Sequence, residues 1–156
     1  MKVYQTSDIR NLSFIGHSGS GKTTLTEAIL YKTGVTKRQG KVDDGNTISD
    51  FDKEEISRKV SIGTSVIPIE WNNLKYNFLD TPGYFDFVGE TFGALRASEA
   101  AILLVDASSG VEVGTEKAWK YTEKNNIPKF IFLNKMDKEN VNFQKEIGRA
   151  SCRERV

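Results

Sequence analysis

The sequence predicts an α/β fold with a mostly parallel sheet, and three observations support this prediction. Apolar runs of strand length alternate with segments of helical tendency along the chain. The run AAILLVDA, residues 100–107, is continuously apolar, which is typical of a parallel strand covered on both faces. Asn72 and Asn73 separate two strand-like segments and favour a tight hairpin turn, so one edge of the sheet should be antiparallel.

Length and composition indicate one globular domain. The chain has 156 residues, and its 22 basic and 21 acidic side chains nearly cancel, which excludes an overall field for binding polyanions. Cys152 is the only cysteine, so an internal disulfide is excluded. The first residues lack a signal-peptide core, and the longest apolar run, residues 100–105, is too short to cross a bilayer. We therefore expect a cytoplasmic monomer that does not associate with membranes.

The first half of the chain predicts a strand, a loop and a helix. Leu12 to Ile15 form a short apolar run, and good helix formers follow from Gly21 to about Lys32, with Gly34 as the stop. Residues 35–59 are polar and without a sustained period, too long for an idle connection, and predict a functional loop. Residues 60–66 alternate and the phase shifts at residues 67–71 across Pro68, which predicts a bulged edge strand.

The second half alternates strands and helices. Strands are expected at residues 74–79, 100–107 and 127–133, the last of them buried, and helices at 86–98 and 112–125. In an open parallel sheet, ligands bind at the carboxyl ends of the strands. The residues that follow each strand are therefore the candidate site.

The first strand runs into GHSGSGKTT, which fits the pattern of glycine, any four residues, glycine, lysine and a hydroxyl residue. Such a loop turns its backbone N–H groups toward phosphate oxygens, the lysine bridges the terminal phosphates, and Thr23 would ligate magnesium. The ring of His17 is expected to point away from the phosphates. The alternative is a glycine turn that opens a helix with an exposed lysine. The expected phosphate-binding residues are Gly16, His17, Ser18, Gly19, Ser20, Gly21, Lys22, Thr23 and Thr24.

The motif DTPG, residues 80–83, follows the next strand. The carboxylate of Asp80 can hold magnesium through water, and the N–H of Gly83, which has no side chain, can approach a γ-phosphate closely. Taken alone, the motif is also compatible with a simple Thr-Pro-Gly turn. Beside a phosphate loop, we favour the ligand site.

The motif NKMD, residues 134–137, follows the last predicted strand. Asp137 can accept two hydrogen bonds from guanine, the stem of Lys135 can cover the base, and Asn134 can tie this loop to the phosphate loop. Adenine presents the opposite donor and acceptor pattern. Three motifs in order at three strand ends therefore predict GTP or GDP rather than ATP as the ligand.

These motifs resemble the GTP-binding domain of translational GTPases, and most closely elongation factor G and its paralogues. The similarity extends from about Asp8 to Phe143 and includes GKVDDGNTISDFDKEE, DFVGE and DASSGVEVGTEKAW. The resemblance implies a P-loop NTPase G domain with helices on both faces of the sheet, bound Mg²⁺, GTP hydrolysis, and the ribosome as partner. It also implies that residues 35–59 are the first switch and that residues 80–87 are the second.

Five positions depart from the family pattern. Ser61 stands where the family has a threonine that closes over magnesium, and Lys59 replaces a glycine two residues earlier. The hydroxyl ligand is kept at Ser61, unless that side chain only faces outward from an alternating strand. Ser18 and Gly19 replace an apolar and an acidic residue, which predicts a looser gate over the phosphates.

The fifth departure is Tyr84, since the family has a histidine here that orients the attacking water. A phenol can donate or accept a hydrogen bond but cannot become a cation beside a triphosphate. We expect Lys22, Gly83 and Tyr84 to act on the transferred phosphoryl group, with Tyr84 as a weaker water-positioning group or an aromatic lid. Intrinsic hydrolysis should then be slow. The alternative is that Tyr84 packs with Phe85 and Phe87 beneath the switch.

The composition changes at the end of the chain, where three of the seven arginines fall in the last eight residues. Residues 147–156, IGRASCRERV, resemble a translated sequencing adapter, the alternative being a genuine basic tail. We therefore expect residues 1–146 to be a G domain that is incomplete at its C-terminal end, with weak or no hydrolysis as a fragment. The parent is expected to be a ribosome-stimulated GTPase similar to elongation factor G. The alternative is a GTP-dependent ribosome regulator or a tetracycline-resistance-type protection factor with slow hydrolysis.

Overall fold

The computed structural model describes residues 3–138 and residue 141. Its sheet has five strands in the order β2-β3-β1-β4-β5. Strands β1, β3, β4 and β5 run parallel to one another, and β2 pairs antiparallel with β3. This confirms the predicted mixed sheet with one antiparallel edge. The strands are β1 (Ile9–Gly16), β2 (Ser65–Trp71), β3 (Leu74–Asp80), β4 (Ala100–Asp106) and β5 (Lys129–Asn134).

Four α-helices connect or flank these strands within the described residues. They are α1 (Lys22–Lys32), α2 (Lys53–Arg58), α3 (Val88–Ala97) and α4 (Val113–Lys124). Single 3₁₀ turns lie at Thr6–Asp8 and Phe85–Phe87. Helix α1 begins directly after the glycine-rich loop and ends before Gly34, whose φ is +75°, as the sequence predicted.

The helices cover both faces of the sheet. On one face, Ile15 and Leu103 pack with Leu95 of α3 and Ala118 of α4. On the other face, Leu30 of α1 packs against inward-facing side chains of β2 and β3. The carboxyl ends of β1, β3, β4 and β5 therefore lie at one edge of a sheet that is packed on both faces.

Strand β2 begins later than predicted and has no bulge. Its register with β3 is continuous from Ser65 to Trp71. Residues 62–64 stay outside the sheet because the N–H groups of Ile62 and Gly63 donate to Glu55, and that of Thr64 donates to Glu90. The hairpin turn is confirmed, since Asn72 and Asn73 both have positive φ, as a type I′ turn requires.

The sequence predicted that the last strand would be buried, and this was wrong, because the middle of β5 is exposed. Phe130 is 67% exposed, and Ile131 and Phe132 are also exposed. The reason is position, because β5 pairs only with β4 and forms the second edge of the described sheet. Apolar composition predicted the strand but could not say which neighbours would cover it.

Residues 35–59, which the resemblance assigns to the first switch, form an arm that includes α2 near its end. Asp52 caps this helix by accepting from the N–H of Glu54, and the carboxylate of Glu55 accepts from the N–H of Asp52, which completes a capping box. The spacing of Asp52 and Glu55 would have predicted this helix. The predicted domain boundary at residue 146 and the adapter-like tail, residues 147–156, lie outside the described residues.

Candidate nucleotide-binding site

The phosphate loop takes the conformation that its glycines predict. Gly16, Gly19 and Gly21 all have positive φ. At Gly21, where φ is +96°, an added Cβ would lie 2.3 Å from Nδ2 of Asn134. Only glycine therefore allows the loop to meet the NKMD segment at this point.

Lys22, the first residue of α1, is buried beneath this loop. Its ammonium group donates to the carbonyl oxygens of Gly16 at 3.1 Å and His17 at 3.0 Å. Burial lowers the pKa of Lys22 to about 8, although the charges of Asp80 and Asp50 partly oppose this change. A triphosphate would supply the negative charge that this buried cation lacks.

Asp80, at the end of β3, is 1% exposed, and both of its carboxylate oxygens are buried without a hydrogen-bond partner among the described residues. Burial raises the pKa of Asp80 to about 7. The charge of Lys22 and the nearby hydroxyls of Thr23 and Ser49 oppose this rise, but neither hydroxyl completes a hydrogen bond to the carboxylate. A buried, unpartnered carboxylate next to hydroxyl ligands fits a magnesium site.

Two predicted magnesium ligands from distant parts of the chain lie in contact. The hydroxyls of Thr23 and Ser61 are 3.1 Å apart, and Ser61 donates to Oδ1 of Asp50 at 2.7 Å. Ser61 therefore faces the site and not outward. Asp50 was missed by the sequence analysis, because nothing in its acidic surroundings distinguishes it from Asp52. Its pKa is raised by burial, with the hydrogen bond from Ser61 opposing the rise.

The DTPG segment, which the resemblance assigns to the second switch, approaches the phosphate loop at Gly83. A Cβ at this position would lie 2.6 Å from Nζ of Lys22 and 2.6 Å from Cα of Ser18, so the close approach requires glycine. Tyr84 is 47% exposed at the rim, which argues against the alternative that it packs beneath the switch. A cavity of about 410 Å³ lies between these segments, with Ser18, Gly19, Thr24, Ser61, Gly83 and Tyr84 in its wall.

The NKMD segment adjoins the phosphate loop as predicted. Nδ2 of Asn134 donates to the carbonyl of Ser20 at 2.9 Å, and Nζ of Lys135 donates to the carbonyl of Gly19 at 2.6 Å. Asp137 is exposed, and its contact with a base stays a prediction.

Asp106, at the end of β4, is a second site residue that the sequence analysis missed. Its Oδ2 accepts from Nζ of Lys135 at 2.7 Å, and its Oδ1 accepts from the N–H of Ser108. Burial alone would raise the pKa of Asp106, but the hydrogen bonds from Lys135 and Ser108 outweigh it and hold the pKa well below its usual range. Its place at the end of an apolar strand was the available signal.

The ring of His17 points away from the cavity, as predicted. Its Nε2 lies 3.5 Å from a carboxylate oxygen of Glu112, and the ring makes an edge contact with Phe85. A Cβ at Gly114 would lie 2.5 Å from its Nδ1, so the ring is packed against the start of α4. His17 can therefore contribute only backbone atoms to the phosphate site.

The fold and the site define a phosphate-loop nucleotide-binding domain with the NKMD segment at the end of β5. Residues 7–153 match the family described as the elongation factor Tu GTP binding domain. The chain belongs to this family. The match confirms the G-domain fold and the translational GTPase family that the sequence predicted.

Individual relatives are translation factors of the same family. The chain is 44% identical over 138 residues to the mitochondrial ribosome-releasing factor 2 of Scheffersomyces stipitis, covering 88% of this chain and 16% of the relative. It is 37% identical over 156 residues to elongation factor G 2 of Streptomyces coelicolor, and this match covers 100% of this chain and 22% of the relative. A solved structure of a protein from Thermus thermophilus matches with a TM-score of 0.90 and 40% identity, and the match covers 94% of this chain and 22% of that one.

The chain thus spans about a fifth of the length of the relatives that it matches. In the part of the chain that the structure describes, no helix is long and apolar enough to cross a membrane.

Proposed function

We propose that this domain binds GTP with Mg²⁺ and hydrolyses it to GDP and phosphate as the G domain of a longer, elongation factor G-like protein that acts on the ribosome. The observation that carries the proposal is the buried, unpartnered carboxylate of Asp80. It lies close to Lys22 and Thr23, which line the cavity where three strand-end motifs meet, and Thr23 in turn contacts Ser61. Such a group is expensive to bury unless a bound ion completes its interactions.

The chain's own residues supply positioning and charge. The loop amides and Lys22 would hold the β- and γ-phosphates, and the N–H of Gly83 would donate to a γ-phosphate oxygen. Thr23 and Ser61 would hold Mg²⁺ directly and Asp80 through water, and the ion would neutralise charge that develops on the leaving phosphate. Water would attack the γ-phosphorus and give up a proton to the released phosphate, while the bond from the γ-phosphorus to the β–γ bridging oxygen breaks and that oxygen leaves with GDP. Loss of the γ-phosphate would remove the hydrogen bond between the N–H of Gly83 and the nucleotide.

Binding should depend on the base. Asp137 would accept from the ring N–H and the exocyclic amine of guanine, while Asn134 and Lys135 fix the base segment to the phosphate loop. Titration of the protein with fluorescent GTP, GDP and ATP in the presence of Mg²⁺ tests this. We expect GTP and GDP to bind and ATP to bind more weakly by about 10⁴ or more. Equal binding of ATP and GTP, or no binding of either, would refute the proposal.

A matched variant sharpens this test. Asp137→Asn replaces an acceptor with a donor at the position that faces the exocyclic group of the base. The variant should lose affinity for GTP and gain affinity for xanthosine triphosphate, whose base carries an oxygen where guanine carries the amine. Asp86→Asn, in the second switch, is the control for loss of one negative charge and should leave the base preference unchanged.

Tyr84 favours a second candidate function, a ribosome-bound regulator or protection factor that hydrolyses GTP slowly. The exposed phenol lies at the rim of the cavity and cannot carry the positive charge of an imidazolium. Single-turnover hydrolysis by the parent protein, with and without ribosomes, separates the candidates. If Tyr84→His accelerates the ribosome-stimulated rate and Tyr84→Phe abolishes it, the hydroxyl positions water weakly. If Tyr84→Phe changes nothing, the tyrosine is a lid.

The relatives' names bear on the role of the parent protein and on its location. They are a ribosome-releasing factor of mitochondria and an elongation factor G of a bacterium. We propose action on the ribosome through regions beyond this domain and a cytoplasmic location. Fractionation of cells that express the tagged parent, with ribosomes pelleted in the presence of a non-hydrolysable GTP analogue, tests both.

A further inference from the structure

The carboxylate of Glu27 lies in the middle of α1 and is 1% exposed, yet it has no part in the phosphate site described above. Its Oε2 accepts from the N–H of Gly40 at 3.2 Å. Its Oε1 accepts from the N–H of Ile48 at 2.6 Å and the N–H of Ser49 at 3.4 Å. One buried side chain therefore fixes two separate points of the first switch.

The contact at Gly40 is tight. A Cβ there would lie 2.4 Å from Oε2 of Glu27 and 2.9 Å from Cα of Thr47. The backbone of the switch therefore comes as near to the carboxylate as a residue without a side chain allows. A carboxylate has acceptor positions for all three N–H groups, whereas the amide of glutamine would turn an NH₂ group toward at least one of them.

These bonds lead directly to the nucleotide cavity. Ser49 is followed by Asp50, which accepts from Ser61, and Ser61 contacts Thr23. Thr23 lies one helical turn before Glu27 on α1. The same helix thus carries the phosphate site at its start and the attachment of the switch one turn later.

We propose that Glu27 is a positioning residue that holds residues 40–49 closed over the nucleotide cavity and so sets how long the nucleotide stays bound. This inference rests on the proposed function only in naming GTP and GDP as the nucleotides. The attachment itself is a property of the nucleotide-free chain. Glu27 touches neither the phosphates nor the base, so its loss should accelerate release without changing base preference.

The experiment compares Glu27→Gln with Glu54→Gln, a control in the same switch whose exposed side chain pairs with Arg58. Hydrogen exchange of the nucleotide-free proteins is followed at the N–H groups of Gly40, Ile48 and Ser49. We expect Glu27→Gln to accelerate exchange at these three positions by at least about tenfold, and Glu54→Gln to leave them unchanged. Release of fluorescent GDP should accelerate by about 10- to 100-fold in Glu27→Gln, with the preference for GTP over ATP retained.

Gly40→Ala tests the contact from the switch side and leaves every side chain of α1 unchanged. It should reproduce the faster release, and the double variant should be no faster than the more severe single variant, because both remove one interaction. Unchanged exchange at the three N–H groups would overturn the inference, as would loss of protection throughout β1 and β4, which would make Glu27 a residue of the fold. Failure of the proposed function is distinguishable, since the wild-type protein would then show no preference for GTP over ATP.

Discussion

Gly83→Ala tests how the second switch senses the γ-phosphate. The added Cβ would lie 2.6 Å from Nζ of Lys22, 2.6 Å from Cα of Ser18 and 2.7 Å from its backbone nitrogen. Ordinary contacts between such atoms begin near 3.4 Å. The lysine tip can move, but the backbone of Ser18 belongs to the phosphate loop and cannot. The second switch must therefore retreat by roughly 1 Å.

That retreat is large compared with the tolerance of a hydrogen bond. An N–H that would lie about 2.9 Å from a γ-phosphate oxygen would be displaced to nearly 4 Å, where no bond remains. A hydrogen bond to a charged group contributes about 1.5 to 3 kcal/mol, and each 1.4 kcal/mol is a tenfold change in affinity. GTP affinity should therefore fall by about 10- to 100-fold. GDP affinity should stay within about threefold, because GDP has no γ-phosphate.

The assay is competitive titration of fluorescent GTP and GDP against the variant and against Gly89→Ala. Gly89 lies in the first turn of α3, and an added Cβ would meet nothing within 4 Å there, so it controls for the chemical change alone. It should leave both affinities unchanged and stabilise α3 slightly. If Gly83→Ala binds GTP and GDP in the wild-type ratio, the close approach of Gly83 has no part in recognising the γ-phosphate.

Three further predictions follow from the same structure. Asn134→Ala removes the hydrogen bond to Ser20, so GTP and GDP affinities should fall together by about tenfold or more in the same titration. As the pH is raised from 5 to 7, the free energy of unfolding of Asp80→Asn should increase relative to that of the wild type by about 2 kcal/mol, measured by urea unfolding without Mg²⁺. The reason is that burial raises the pKa of the wild-type carboxyl from 3.8 to about 7, so over most of this range the folded state keeps a proton that the unfolded state has lost. The free energy of unfolding of the wild type therefore falls as the pH rises. Lys59→Gly should raise stability by up to about 1 kcal/mol, because Lys59 has a φ of 56°, a left-handed conformation that glycine adopts without steric cost, whereas the control Lys120→Gly in α4 should lose about 1 kcal/mol.

The sequence predicted the elements that periodicity and glycine placement control. The phosphate loop, the Asn72–Asn73 turn and the mixed sheet all follow from local chemistry, and the structure has them. What it could not predict depends on contacts between distant segments. Residues 62–64 alternate like a strand, but Glu55 and Glu90 take their N–H groups. Propensity alone cannot register that competition.

The missed site residues have the same cause. Asp50 and Asp106 are ordinary carboxylates in the sequence, and only the fold brings one to Ser61 and the other to Lys135. At Lys59 the backbone takes a left-handed conformation that the residue type alone would not predict. The family pattern has glycine there, and the chain keeps the left-handed backbone although the side chain opposes it, because the C-terminus of α2 requires that turn.

The buried polar atoms without partners connect stability to binding in this domain. Among the described residues they include Oγ of Ser20 in the phosphate loop, both carboxylate oxygens of Asp80 near Lys22 and Thr23, and Oγ of Ser49 near Asp80. In the same part of the chain, Nδ1 of His17 and Oγ1 of Thr36 are buried without a partner as well. Each such atom opposes folding until a ligand or water satisfies it. A nucleotide with its metal ion would satisfy several of them at once and supply the negative charge that Lys22 lacks. Binding energy would then appear partly as stability of the fold, so that the chain is most stable when it is loaded.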